Sequence, residues 1–210
     1  MPRVSDPYYS QDGITIYHGD CRDILPQFPD KSFDLVLTDP PYGVGFRENE
    51  WDKEIPRWLE EAKRVSDVTI FTTAPVTLWD YPRPDWVGCY YREAANSRSL
   101  FGGFNHWTPL VFYGKPKRLR VDSKKLHALA INEENGHPTP KPVELMSWLI
   151  DEVMANSILD PFMGSGTTLV AAKQLGRKAV GIEIEERYCE IAVKRLAQME
   201  LFGRPIEATK

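Results

Sequence analysis

A chain of 210 residues, 42% hydrophobic and 27% charged, is long enough for one domain with a sizeable core, residues 1–210 as a single unit. No apolar run reaches membrane-spanning length and "MPRVSDPYYSQDG" lacks a signal-peptide core, so a cytoplasmic, intracellular protein with no membrane partner is expected. The net charge of −4 argues weakly against a nucleic-acid coat, while Cys21, Cys89, Cys189 and the four histidines suggest neither a disulfide framework nor a metal site.

In chain order, "GITIYHGD" predicts a strand through Tyr17 and then a loop, and "FDLVL" a second, more deeply buried strand ending at "TDPPYG". "GVGFRENEWDKE" reads as a loop. Pro56 suits the first turn of a helix running to about Val65, which leads to a third strand, "VTIFTT". From Ala74 to about Gly136 the periodicity is poor and aromatic residues interrupt it, with one strand expected in "HWTPLVFYGK". Regularity returns at Pro142, where Leu145, Met146, Leu149, Ile150 and Val153 share one helical face. "SILDPF", "GSGTTLVAAKQLG", "KAVGIEI" and "EERYCEIAVKRLAQM" then read as strand, helix, strand and helix. The expectation is an α/β fold, doubly wound, with a mostly parallel sheet.

Three stretches carry chemistry. In "DPFMGSGTT", Gly164 and Gly166 lie between a strand and a helix, where a bare backbone can approach a ligand. Glu183 follows 19 residues after the first of these glycines, at the end of the next strand, where an acid meets ribose hydroxyls. Two strands end in the same dipeptide, at Asp39–Pro40 and Asp160–Pro161. If they are neighbours, one faces a cofactor and the other a substrate. Asp20 either completes the nucleoside pocket or caps a helix. Finally, "KPKRLRVDSKK" sets Lys115, Lys117, Arg118, Arg120, Lys124 and Lys125 against one acid, a net +5 that suits phosphates or a solvated loop equally.

Together, "HGDCRDIL", "FDLVLTDPPYG", "HPTPKP", "LDPFMGSGTT" and "VGIEIEERY" resemble, in content and order, the β-class DNA amino-methyltransferases. These form a circularly permuted branch of the Rossmann-like S-adenosylmethionine (SAM) methyltransferase fold. The resemblance implies SAM as cofactor, DNA as partner and no metal. Asp39, Pro40, Pro41 and Tyr42 would be catalytic. The loop of Phe162, Gly164 and Gly166 would cradle the methionine part of SAM with Asp160 near its amino group, and Asp39, Pro161, Ser165, Thr167 and Thr168 would also contact the cofactor. Glu183 would hold the ribose, Asp20 and Cys21 would border the adenine, and Lys141 would close the methionine end or touch only water.

D-P-P-Y is typical of adenine-N6 enzymes in this family, so adenine is expected, with cytosine-N4 as the alternative. An RNA methyltransferase or a non-catalytic SAM-binding partner subunit also stays open. Residues 74–136 would hold the target-recognition region. Only 95 residues separate Tyr42 from His137 and must also supply strands, so a short or relaxed recognition sequence is expected, with a second copy of the chain helping to grip DNA.

Overall fold

The computed structural model describes residues 6–44, 57–92, 106–126 and 141–201. Among these, β1 (Tyr9–Gln11), β2 (Ile14–His18), β3 (Phe33–Thr38), β4 (Ser66–Thr72), β5 (Trp86–Arg92), β6 (Trp107–Gly114), β7 (Ser123–Leu126), β8 (Ser157–Asp160) and β9 (Lys178–Glu183) form one sheet. Its order is β1-β2-β9-β8-β3-β4-β6-β5-β7. Strands β2, β9, β8, β3 and β4 run parallel, β6 is antiparallel to both β4 and β5, and β7 is parallel to β5. From β8 the chain winds outward to β9, and from β3 it winds outward to β4. The direction of winding therefore reverses between β3 and β8, and such a reversal opens a crevice at the carboxyl ends of the strands.

The apolar runs explain this layering. In β3, Leu35 and Leu37 point into one core with α3 (Val143–Val153), α4 (Thr167–Gln174) and α5 (Glu186–Leu201). Phe33 and Val36 point to the opposite core, with α1 (Cys21–Ile24) and α2 (Leu59–Val65). A central strand buried on both faces needs an unbroken apolar sequence, as "FDLVL" nearly is. In α3 the predicted stripe of Leu145, Met146, Leu149, Ile150 and Val153 is buried throughout.

Three elements depart from expectation. The short strand β1 pairs with β2 across Asp12 (φ 51°) and Gly13 (φ 78°), a left-handed Asp-Gly turn whose twist suits a two-residue hairpin. "HGDCRDIL" holds a helical turn, α1, rather than a plain loop. The middle segment supplies β5 and β7 as well as β6. Trp86, Tyr90 and Tyr91 obscure an ordinary strand there, because β5 is half-exposed and its alternation is broken by Gly88 and Cys89. Pro56 and His137 to Pro140 lie outside the described residues.

Candidate active site

Strands β3 and β8 are paired neighbours, with Val36 opposite Leu159, so Asp39 and Asp160 emerge side by side at the winding reversal. The hydroxyl of Thr38 ties the two ends together by donating to Asp160 Oδ1 at 2.6 Å. The same oxygen accepts from the Phe162 amide at 3.1 Å. Asp160 is buried, and that burial, with some help from the nearby Asp39 charge, pushes its carboxyl up to about 6 despite these donors. A cation entering beside it would be welcome.

Asp39 is held by side chains from three separate places. Tyr42 donates its hydroxyl to Oδ1 at 2.7 Å, and Thr72, at the end of neighbouring β4, donates to the same oxygen. Lys141, just before α3, sets its ammonium 2.5 Å from Oδ2 and 5.3 Å from the centre of the Tyr42 ring. The Lys141 side chain is only 10% exposed, which removes the alternative that it touches only water. Burial alone would lower its pKa, but the adjacent Asp39 carboxylate outweighs this and the net direction is up. Burial and the Asp39 charge likewise hold the Tyr42 phenol well above its usual range, so it stays protonated and remains a donor.

The glycine loop is fixed from its own side of the site. Glu183, ending β9, accepts from the Gly164 amide at 2.9 Å and from the Glu185 amide at 2.8 Å. Burial raises its pKa despite the backbone amides that it accepts from. Gly164 and Gly166 have φ of 50° and 81°. At Gly166 a Cβ would also stand 2.8 Å from that of Ala192 on α5, so this glycine is required twice. Ser165 and Thr167 face Arg195 of α5, whose guanidinium donates to Ser165 O at 2.6 Å, to Ser165 Oγ at 3.0 Å and to Thr167 Oγ1 at 3.3 Å. A cavity runs along this edge, lined by Asp39, Lys141, Asp160, Phe162, Gly164, Ser165, Thr167 and Thr168 among others.

Other expected residues sit differently. Asp20 caps α1, accepting from the Arg22 amide at 2.8 Å, and its carboxyl pairs with the Arg22 guanidinium, which lowers its pKa. The helix-capping alternative is the one observed. The Cys21 thiol is buried in the core that α1 and α2 share and is pushed up to about 12 chiefly by that burial, so it is not poised as a nucleophile. Pro161 is buried.

The six cations do not form one patch but divide between the two ends of the sheet. Lys117 pairs with Asp34 at 3.4 Å, Arg118 donates to Asp151 O at 2.6 Å, and Arg120 meets the buried Glu152 at 3.0 Å. Asp34 starts β3 and Glu152 lies in the last turn of α3, so these three cations occupy the edge of the sheet opposite the cavity. Lys115 follows Gly114, which pairs with Val68 near the start of β4, and is on that far edge too. Lys124, paired with Glu144 at 3.1 Å, and Lys125, opposite Tyr91, are the two that return toward the cavity side. Opposite charges from α3 and β3, invisible in the segment itself, explain the split.

Sequence reading misses Thr72 and Arg195. Thr72 has one available signal, its place at the end of "VTIFTT", the strand expected next after the D-P-P-Y strand. Arg195 has none, since it lies on the closing helix 28 residues beyond Thr167.

The chain is similar to known proteins. A family model described as DNA methylase matches residues 86–194, just over half of the chain. The type II methyltransferase M.ScaI of Streptomyces caespitosus is 30% identical over 257 residues, covering 92% of this chain and 84% of that protein. M2.MboI of Moraxella bovis, also a type II methyltransferase, is 28% identical over 246 residues, covering 90% of each. The fold matches that of the cytosine-N4-specific PvuII DNA methyltransferase with a TM-score of 0.72 at 15% identity, over 90% of this chain and 88% of that one.

Proposed function

Because the chain belongs to the DNA methylase family of N6 and N4 amino-methyltransferases, we propose that it methylates the exocyclic N6 amino group of adenine in DNA, using S-adenosylmethionine. The single observation that carries this reading is the preorganised Asp39 carboxylate, aimed into a cavity that the glycine loop also lines.

The cavity suits the cofactor in charge as well as shape. Its acids, Asp39 and Asp160, favour an ammonium and a sulfonium, Lys141 favours a carboxylate, and Glu183 at the end of the next strand offers acceptors to ribose hydroxyls. S-adenosylmethionine bound there supplies an electrophilic methyl group on a positively charged sulfur.

An exocyclic amino group is a poor nucleophile because its lone pair is delocalised into the ring. Asp39 and the Pro40 carbonyl, by accepting its two N–H bonds, draw the nitrogen toward tetrahedral geometry and free the lone pair. The hydroxyls of Tyr42 and Thr72 fix the carboxylate before the base arrives, so little reorganisation is needed at the moment of reaction. As the N–C bond forms and the C–S bond breaks, positive charge moves onto nitrogen, where Asp39 stabilises it. The amino group then loses one proton, for which Asp39 is the adjacent base. Tyr42 offers the ring on which the base stacks after leaving the duplex. Lys124 and Lys125, with the exposed rings of Tyr91 and Trp107 on the cavity side of the sheet, are proposed to face the DNA.

Asp in the first position of D-P-P-Y favours adenine over cytosine. Mass spectrometry of nucleosides from DNA treated with the protein and isotopically labelled SAM tests this. Labelled N6-methyladenine is the expected product. N4-methylcytosine would replace the base assignment, and no labelled nucleoside at all would sink the reading.

A further inference from the structure

We propose that Lys141 plugs the base site at rest and is drawn off by a carboxylate entering the adjoining cavity, so that the methyl donor itself unlocks Asp39 for the target amino group. This rests on the reading of the cavity given above. The ammonium of Lys141 sits 2.5 Å from Asp39 Oδ2 and 5.3 Å from the centre of the Tyr42 ring. One group thereby occupies both features that a target base requires, the acceptor and the stacking face. A base laid on Tyr42 with its amino group on Oδ2 would place its nitrogen where the ammonium now stands.

The conflict is electrostatic as well as steric. Asp39 Oδ1 already takes the hydroxyls of Tyr42 and Thr72, which leaves Oδ2 for the substrate. Methyl transfer then brings positive charge onto a nitrogen at that oxygen. A lysine ammonium held at the same place in a water-poor site would oppose it. Lys141 therefore has to leave before the reaction.

Its destination follows from the lining of the cavity. Among the described residues there, Lys141 carries the one positive charge, against the acids Asp39 and Asp160, hydroxyls and apolar groups. A carboxylate entering that cavity meets one opposite charge, and it is this ammonium. The backbone need not move, because Pro142 is already anchored as the cap of α3, accepting from the Leu145 amide at 3.1 Å. Rotation about the four-carbon stem is enough. The consequence is ordered entry, donor before base.

Calorimetric binding of SAM and of decarboxylated SAM to the wild-type protein, Lys141→Met and Asp39→Asn tests the exchange without any methyl transfer. The wild type is expected to prefer SAM about ten- to hundredfold, the range of a charged hydrogen bond. Lys141→Met should erase that preference. Asp39→Asn should widen it, since the lysine no longer has to abandon a carboxylate. Asparagine keeps the acceptor for Tyr42 and Thr72, so this variant also guards against Lys141→Met failing to fold with Asp39 left without its counter-charge. A preference that survives Lys141→Met, or that Asp39→Asn leaves unchanged or narrows, overturns the exchange. Equal binding of the two compounds by the wild type overturns the exchange alone, whereas binding of neither overturns the methyl-donor reading as well.

Discussion

Three acids stand at the ends of three neighbouring strands, yet they are held in different ways. Asp160 and Glu183, on the side proposed to hold the cofactor, each take backbone donors: Asp160 the Phe162 amide beside the Thr38 hydroxyl, and Glu183 the amides of Gly164 and Glu185. Asp39, on the catalytic side, is satisfied entirely by side chains, two of them 33 and 102 residues away. Backbone donors are obligatory features of a loop and survive most substitutions. Side-chain donors can be removed one at a time or traded for others. The half proposed to hold the cofactor is therefore the more fixed, and the half proposed to be catalytic the more adjustable.

The sharpest way to break this contrast is to remove the clamped group. Asp39→Ala takes away both the acceptor for the amino group and the counter-charge for the transition state, so methyl transfer should fall by at least about a thousandfold. Single-turnover transfer of labelled methyl to DNA reads this directly. A variant retaining a tenth of wild-type activity would show that the Pro40 carbonyl and positioning suffice.

Glu183→Gln probes the other half. Glutamine keeps one carbonyl oxygen for the Gly164 amide but loses the charge and one acceptor for the ribose. SAM affinity should drop about ten- to hundredfold, while turnover at saturating SAM stays within a fewfold of wild type. Kinetics across a SAM titration separate the two quantities. A loss confined to turnover would place Glu183 in the catalytic half and dissolve the distinction.

A smaller effect is expected at Thr72. Valine there preserves the volume and removes one of the two hydroxyls that orient Asp39 Oδ1. Turnover should fall about tenfold with SAM affinity unchanged, and Thr72→Ser should recover most of the loss. Failure of serine to rescue would mean that the threonine methyl, and not its hydroxyl, matters to the site.

The same contrast separates what is legible in the amino-acid sequence from what is not. The order of elements, the two D-P strand ends and the spacing of Gly164 to Glu183 are local patterns, and the sheet places them as expected. Strand β5 escapes because an exposed, aromatic strand beside an antiparallel neighbour has no clean alternation. The pairing of the basic segment is hidden because its partners, Asp34, Asp151 and Glu152, come from β3 and α3. Thr72 and Lys141 reach Asp39 only once β4 and the start of α3 are placed beside β3. Long-range side-chain pairing leaves no trace at any spacing along the chain.

The mildest test concerns stability and pH at Asp160. Its folded pKa is raised from 3.8 to about 6 by burial, so the native state binds a proton more tightly than the unfolded chain does. The sign follows from linkage: this group favours folding while it is protonated, below the unfolded value, and that contribution is lost as pH rises toward 6 and beyond. Asp160→Asn should therefore stabilise the protein without cofactor above pH 6, by on the order of 1 kcal/mol or a few degrees in Tm. Below pH 4 the two proteins should converge. Asparagine Oδ1 can still accept from Thr38 and from the Phe162 amide, so the hydrogen bonds that join β3 to β8 are kept. Thermal melts at pH 4 and pH 7.5 give the comparison. In saturating SAM the order should reverse at pH 7.5, because the wild-type carboxylate then gains a cation that asparagine cannot pair, and a variant that stays the more stable with SAM bound would place the cofactor's ammonium elsewhere.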